Sequence, residues 1–171
     1  MDARETVIGQ YKFAHGVLLQ VIGLATPETM HTKLPGSNID TIASTFAHIV
    51  FAEDSIVNGM ALGGAPVFVS GGWAGKTGTD MPQSPRQNHE WASSVKLDLA
   101  RFTPYAQAVF ASTEEMIAKA TDTQLNETKQ GPLGPSSVFG LISGLGLYHM
   151  VEHSGEIAAL LGVQGLKGLP F

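Results

Sequence analysis

Four long segments of this chain repeat their apolar residues at three- and four-residue spacing, the period of an α-helix with one buried face. In the first segment the repeat runs through Val7, Tyr11, Leu18 and Ile22. The four segments cover residues 2–24, 37–62, 98–120 and 136–162. Because no convincing strand pattern lies between them, the sequence predicts an all-α fold in which four helices form a bundle.

Residues that can cap a helix mark where these segments begin. Ser37 opens the stretch "SNID", which has an acidic residue three positions later, and it predicts the start of the second helix. The third helix has two candidate starts, at Asp98 or at Thr103 followed by proline. The fourth helix starts at Ser136 or Ser137, and the sequence leaves both alternatives open.

Residues 63–87 separate the second and third helices and are rich in glycine and proline. These residue types deny the segment a regular helix, and a short helix is expected only beyond it, around residues 88–96. A long loop inside a compact domain is often functional, so we expect a lid or a pocket wall. Trp73 and Trp91 are expected to pack the loop onto the bundle. No second domain is evident, so residues 1–171 are predicted to form one domain.

The charge balance bears on the kind of partner. Ten Lys and Arg against fifteen Asp and Glu give a net charge of −5, which argues against nucleic acid and anionic membranes. The longest apolar run, residues 138–148, is shorter than the ~20 residues that span a bilayer. The N-terminus lacks the pattern of a signal peptide, so we expect a soluble, cytoplasmic protein. There is no cysteine, so a transition-metal site must use histidine, carboxylate or water.

His149 and His153 are four residues apart in the fourth helix and therefore lie on one face. The pair alone fits a metal site and equally fits exposed or core histidines. A metal site needs a third ligand from another helix, and His48 is the best candidate because it lies in the middle of the apolar second helix. The alternative for His48 is a core histidine bonded to a backbone carbonyl.

The same stretch reads "HMVEH" and matches the inverted zinc-peptidase motif, in which Glu152 is the general base. That motif needs a distant downstream glutamate as third ligand, and Glu156, one turn away, is the only glutamate that follows. The peptidase is therefore a minor alternative. Glu156 is seven residues after His149, so it shares the histidine face and can orient a ligand imidazole.

Three glycines, Gly140, Gly144 and Gly146, interrupt the fourth helix. Glycine costs a helix up to about 1 kcal/mol against alanine, so three of them indicate the close approach of another helix. That neighbour lies either within the bundle or across a dimer interface.

The order of these features resembles the DinB-like (YfiT-like) family of metalloenzymes. The resemblance rests on "FAHIVFAED" in the second helix, "LDLARFTPYAQAVFASTEE" in the third and "HMVEHSGEIAALLG" in the last. It implies an up-down-down-up four-helix bundle, a homodimer, and a divalent metal held by His48, His149 and His153. The chain departs from the family pattern at Ser154 and Glu156, where Arg and Gln are frequent.

Three protein ligands leave an open metal position, which is the mark of a catalytic site. A bound water or a substrate thiol can be activated there, which predicts a hydrolase or a thiol-dependent transferase acting on a small molecule. An all-imidazole set suits zinc or nickel, and also iron or copper. Candidates for proton transfer are Glu53, Asp54 and Glu156. The alternative is a non-catalytic bundle that binds a metal, a ligand or another protein.

Overall fold

The computed structural model describes residues 2–82, 89–169 and 171, and the fold is mostly helical with one small sheet. Two α-helical segments run without a break into π-helices, which we label π1 and π2. In chain order the elements are α1 (Ala3–Ile22), α2 (Pro27–His31), α3 (Ile42–Glu53), π1 (Asp54–Ala61), α4 (Val67–Ser70), α5 (His89–Ser94), α6 (Leu99–Lys119), α7 (Asp122–Asn126), β1 (Thr128–Gly131), β2 (Gly134–Ser137), α8 (Val138–Gly140), π2 (Leu141–Leu147) and α9 (Tyr148–Val163).

Side-chain caps define where the long helices begin. Asp98 accepts the amide of Ala100 and opens α6, so Pro104 lies inside the helix. Ser137 accepts the amide of Gly140 and opens the helical segment that ends at Val163. The prediction that the second helix begins at Ser37 is wrong. The Ser37 hydroxyl accepts the amide of Ile39 in a local turn, and Thr41 caps α3 instead.

The dipeptide Thr26-Pro27 lies just beyond the first helix and starts the next one. Thr26 and Thr29 cap each other's backbone amides in a capping box, and Pro27 takes the first helical position of α2. The first helix itself ends at Ile22. A threonine followed by proline is therefore a start signal here as well as a stop.

The antiparallel hairpin of β1 and β2 contradicts the expectation that the chain has no strands. Its register pairs Thr128 with Ser137 and Gly131 with Gly134. Both strands are short and polar, and the only buried residue in them is Gly131. They therefore lack the apolar alternation from which a strand is predicted.

The four long helical segments pack against one another around an apolar core. The helix α1 contacts α6 and α9, α3 contacts the same two helices, and π1 contacts π2. The Tyr11 hydroxyl of α1 donates to the carbonyl of Ile142 in π2 at 2.8 Å and is fully buried. Every residue of α3 is buried, so this helix runs through the centre of the core.

Over residues 63–82, the part of the glycine-rich segment that the structure describes, there is one short helix, α4, where no regular helix was expected. Trp73 attaches this segment to the bundle, because its half-buried ring packs on the buried ring of Tyr105 with centroids 5.6 Å apart. The Trp91 indole donates to the carbonyl of Asp80, as packing of the loop predicts. The short helix expected around residues 88–96 is α5, and residues 83–87 of the loop lie outside the described residues.

Within the described parts of the chain, no helix is both long and apolar enough to cross a bilayer. The cytoplasmic location stays a prediction.

Candidate metal centre

His48, His149 and His153 come together between α3 and α9. Each offers one ring nitrogen, and the three nitrogens lie within 4.8 Å of one another. The Nε2 atoms of His48 and His149 are 2.9 Å apart. His48 is buried, whereas His149 and His153 are half-buried. The cluster therefore has one ligand deep in the core and two nearer to solvent.

The local structure explains this geometry. Residues four apart in an α-helix are neighbours on one face, and the rings of His149 and His153 have centroids 4.5 Å apart. The helix α9 packs directly on α3, which brings His48 to 4.7 and 5.1 Å from those two rings. The i, i+4 pair and one residue of a facing helix thus make a three-sided nitrogen cluster.

Electrostatics keep two of these rings neutral. Burial, together with the smaller effects of the charges of His149 and His153, lowers the pKa of His48 to about 3. Burial followed by the charge of His153 lowers the pKa of His149 to about 4. At neutral pH both rings carry a free lone pair, which is the form that binds a metal.

The donor set fits a divalent transition-metal ion. Two facing Nε2 atoms cannot both carry a hydrogen at 2.9 Å without opposing each other, so at least one lone pair points into the cluster. His48 Nδ1 is buried and has no hydrogen-bond partner among the described residues, so Nε2 is the nitrogen directed at the other histidines. Imidazole nitrogens suit zinc, nickel, copper and iron alike.

Glu156 lies where the sequence predicted it, beside the histidine face. Its Oε2 atom is 2.6 Å from Nδ1 of His153. A carboxylate on one ring nitrogen holds the ring in one tautomer and leaves the other nitrogen for a metal. Glu152, the general base of the peptidase alternative, is exposed on the same helix.

The other two carboxylates proposed for proton transfer are buried but engaged away from the cluster. Glu53 accepts a hydrogen bond from His15, with Oε1 and Nε2 3.1 Å apart. Asp54 accepts the amides of Val67 and Phe68 at 2.7 and 2.8 Å, and therefore caps α4. Among the described residues, neither carboxylate is hydrogen-bonded to a histidine of the cluster.

Sequence reasoning missed the network around His15, because His15 has no histidine partner at helical spacing. Its Nδ1 is 3.1 Å from Glu114, its Nε2 reaches Glu53, and its ring stacks on Phe110 with centroids 3.9 Å apart. One signal in the sequence pointed to it. Glu53 lies in the apolar stretch of the second helix, and a buried carboxylate needs a cationic or donating partner.

Comparison with known proteins identifies the family of this chain. The sequence profile of the DinB superfamily matches residues 10–157. A solved structure described as the conserved protein of a locus from Enterococcus faecalis is similar in fold, with a TM-score of 0.76 and 19% identity. The similarity covers 94% of this chain and 95% of that one. No curated protein matches the sequence. The profile match over most of the chain shows that this protein belongs to the DinB superfamily.

Proposed function

We propose that this protein is a divalent-metal-dependent enzyme that acts on a small molecule and holds its ion with His48, His149 and His153. The observation that carries the proposal is the convergence of three imidazole nitrogens within 4.8 Å. Zinc or nickel is the favoured ion, and iron or copper the alternative. We also propose that the four long helical segments form one up-down-down-up bundle domain. The packing of each segment on its neighbours supports this.

When bound, such an ion lowers the pKa of a water molecule or holds a thiol as thiolate. Four side chains of the protein would hold the ion and orient its ligands. His48 anchors the site from the buried helix α3, and His149 and His153 close it from α9. Glu156 fixes the His153 ring through Nδ1, at 2.6 Å, and its half-buried carboxylate can hold a proton there.

Two reaction classes follow from an open position on a three-histidine site. In the first, activated water hydrolyses an ester or amide of a small molecule. In the second, a low-molecular-weight thiol is the cosubstrate of a transfer. A panel of esters and amides, assayed with and without added thiol, separates them. Turnover that requires the thiol excludes the hydrolase, and turnover with water alone excludes the transferase.

The second candidate function is a non-catalytic metal-binding bundle. Glu53 and Asp54 form hydrogen bonds away from the histidines, so Glu156 is the one of the three proposed proton carriers that contacts the cluster. The loss of two of the three proposed proton carriers favours the non-catalytic function. Stoichiometric metal without turnover on either substrate panel would support it. The peptidase alternative requires Glu152, which is exposed.

Elemental analysis of protein purified without an affinity tag tests the ion directly. We expect about one transition-metal ion per chain in the wild type after loading with zinc or nickel, and none retained by His48→Ala. His89→Ala is the matched control, because His89 is exposed and lies outside the cluster. A wild type that retains no metal after loading would remove the basis of the proposal.

A further inference from the structure

Two buried polar atoms of α3, one helical turn apart, have no hydrogen-bond partner among the described residues. They are Nδ1 of His48 and the hydroxyl oxygen Oγ1 of Thr45. His48 is 4% exposed and Thr45 is 1% exposed, so solvent at the surface does not supply the missing partner. A buried polar group without a hydrogen bond destabilises the folded protein, because its desolvation is not compensated. Two such groups side by side therefore call for an explanation.

The proposed ion determines which nitrogen of His48 carries the hydrogen. Nε2 lies 2.9 Å from Nε2 of His149, so Nε2 is the nitrogen that would bind the ion. The neutral ring then carries its hydrogen on Nδ1, which becomes a buried donor. Histidines that bind a metal usually donate this second hydrogen to an oxygen, and the bond fixes the tautomer and the orientation of the ring. Within the described part of the chain, His48 lacks that bond.

Helix geometry limits the side chains that can supply this oxygen. Long side chains of an α-helix lean toward its N-terminus, so the ring of His48 lies over Thr45 and Ser44. The Ser44 hydroxyl already donates to the backbone carbonyl at the N-cap of α3, at 3.0 Å. The next turn offers Phe51 and Ala52, whose side chains have no polar atom. Of these four neighbours, Thr45 is the one with a hydroxyl that no described residue engages.

The backbone does not supply the acceptor in this structure. His31 has such a bond, because its Nδ1 lies 2.9 Å from the carbonyl oxygen of Pro27, four residues earlier. The equivalent carbonyl for His48 is that of Ser44, and Nδ1 of His48 does not bond it. The ring of His48 is instead turned so that Nε2 meets His149.

We infer that Thr45 is a positioning residue of the metal centre, and that its hydroxyl oxygen accepts the Nδ1 hydrogen of His48 when an ion is bound at Nε2. The inference rests on the proposed metal site. Threonine in a helix divides between two rotamers, so rotation about its Cα–Cβ bond moves Oγ1 without moving the backbone. The hydroxyl hydrogen then donates to a helix carbonyl three or four positions earlier. One bond thus satisfies both buried atoms and fixes the ring.

Thr45→Val tests the inference, because valine keeps the shape of threonine and removes the hydroxyl. We expect the zinc affinity, measured by competition with a chromophoric chelator, to fall about 10- to 100-fold. Thr45→Ser keeps the hydroxyl and should keep the affinity of the wild type. Thr113→Val is the matched control, since Thr113 is fully buried in α6, away from the three histidines, and its hydroxyl also lacks a partner among the described residues. It should leave the affinity unchanged.

The stability of the metal-free protein separates a positioning role from a structural one. Without the ion the Thr45 hydroxyl is buried and has no partner in the described structure, so Thr45→Val should leave the free energy of unfolding unchanged or raise it. Chemical denaturation in the presence of a chelator measures this. A Thr45→Val variant that is less stable than the metal-free wild type would overturn the inference, because the hydroxyl would then have a structural partner.

The wild type distinguishes failure of the metal site from failure of the inference. A wild type that retains no zinc after loading removes the proposed function and the role of Thr45 together. A wild type that binds zinc, beside a Thr45→Val variant that binds it as tightly as Thr113→Val, overturns the role of Thr45 alone. The metal site would then stand, with the backbone carbonyl of Ser44 as the acceptor for His48. Loss of zinc affinity in Thr45→Ser would also overturn the inference, because that variant keeps the hydroxyl.

Discussion

The buried imidazole of His15 connects three helices. It belongs to α1 and is hydrogen-bonded to Glu53 of α3 and Glu114 of α6, both at 3.1 Å. Burial by itself would lower the pKa of His15, but the hydrogen bonds and charges of Glu53 and Glu114 outweigh it and raise the pKa above its usual value. The two carboxylates therefore favour the protonated, cationic form of the ring.

This raised pKa predicts a pH dependence of stability. The folded state holds the His15 proton more tightly than the unfolded state, so the contribution of His15 is complete below pH ~6.5 and is lost as the pH rises through the folded pKa. Denaturant titrations from pH 6 upward should show the free energy of unfolding falling with pH. His15→Gln should flatten that slope. The groups facing the ring are Glu53, Glu114, Tyr11, and Lys12 through Glu114.

An equal slope in wild type and His15→Gln would assign the pH dependence to other groups. The lowered pKa values of His48 and His149 change the free energy of unfolding only below pH ~6.5, which is a different pH range from that of His15.

The contact between Glu156 and His153 predicts an effect on metal affinity. Glu156→Gln keeps the shape of the side chain but removes the charge that orients the ring, and it should weaken metal binding about 10- to 100-fold. Competition against a chromophoric chelator measures this. Glu152→Gln, on the exposed side of the same helix, should change the affinity little. Equal effects of the two substitutions would contradict an orienting role for Glu156.

Among the elements, the π-helix π2 shows why a helix of this fold carries so many glycines. A Cβ atom on Gly146 would lie 2.5 Å from the Tyr11 hydroxyl and 2.7 Å from Val57 Cγ2. A Cβ atom on Gly144 would meet nothing within 4 Å. A Cβ atom on Gly140 would lie 2.5 Å from Ser136 Oγ, which belongs to β2 and not to a helix. Of these three glycines, Gly146 is therefore the one that the close approach of neighbouring helices requires, and those helices lie within the same chain.

Alanine substitutions at Gly146 and Gly144 should consequently have different effects on the free energy of unfolding. Gly146→Ala should lower the free energy of unfolding by about 1–3 kcal/mol, because Tyr11 and Val57 must move. Gly144→Ala should leave it unchanged or raise it by up to about 1 kcal/mol, because alanine costs the helix less backbone entropy. Chemical denaturation of both variants gives the comparison. A stabilising Gly146→Ala would show that the packing around π2 is looser than these distances indicate.

Much of the helical fold and of the histidine cluster could be predicted from the sequence, because the signals are local. The i, i+4 pair of His149 and His153 places two rings on one face by helix geometry alone. His48 could be selected because an ionisable residue in an apolar helix needs a partner. Capping chemistry likewise gave Asp98 and Ser137 among the candidate helix starts.

The rest depends on contacts between distant parts of the chain. Glu53 and Asp54 are adjacent, yet one bonds His15 and the other bonds the amides of Val67 and Phe68, and no local pattern distinguishes the two. The hairpin of β1 and β2 is too polar to show a period. The π-helices share the apolar spacing of α-helices closely enough that sequence periodicity does not separate them.

For the whole molecule, a bound ion should couple the site to global stability. A ligand that binds only the folded state adds about 2.7 kcal/mol at a free concentration of 100 times its Kd, which for a domain of this size raises Tm by roughly 5–10 °C. We expect this shift on adding zinc or nickel to the wild type and its loss in His149→Ala. Differential scanning calorimetry with and without a chelator measures both. An equal shift in His149→Ala would place the ion elsewhere.

The continuity of π2 with α9 has a consequence for how this chain varies. Each residue of an α-helix advances the angular phase by about 100°, so inserting or deleting one residue within Leu141–Leu147 would turn every later side chain by that amount. His149 and His153 would then point away from His48 while the apolar content of the helix stayed the same. We therefore expect a one-residue gap at this point in an alignment of relatives to separate chains that keep the histidine cluster from chains that have lost it.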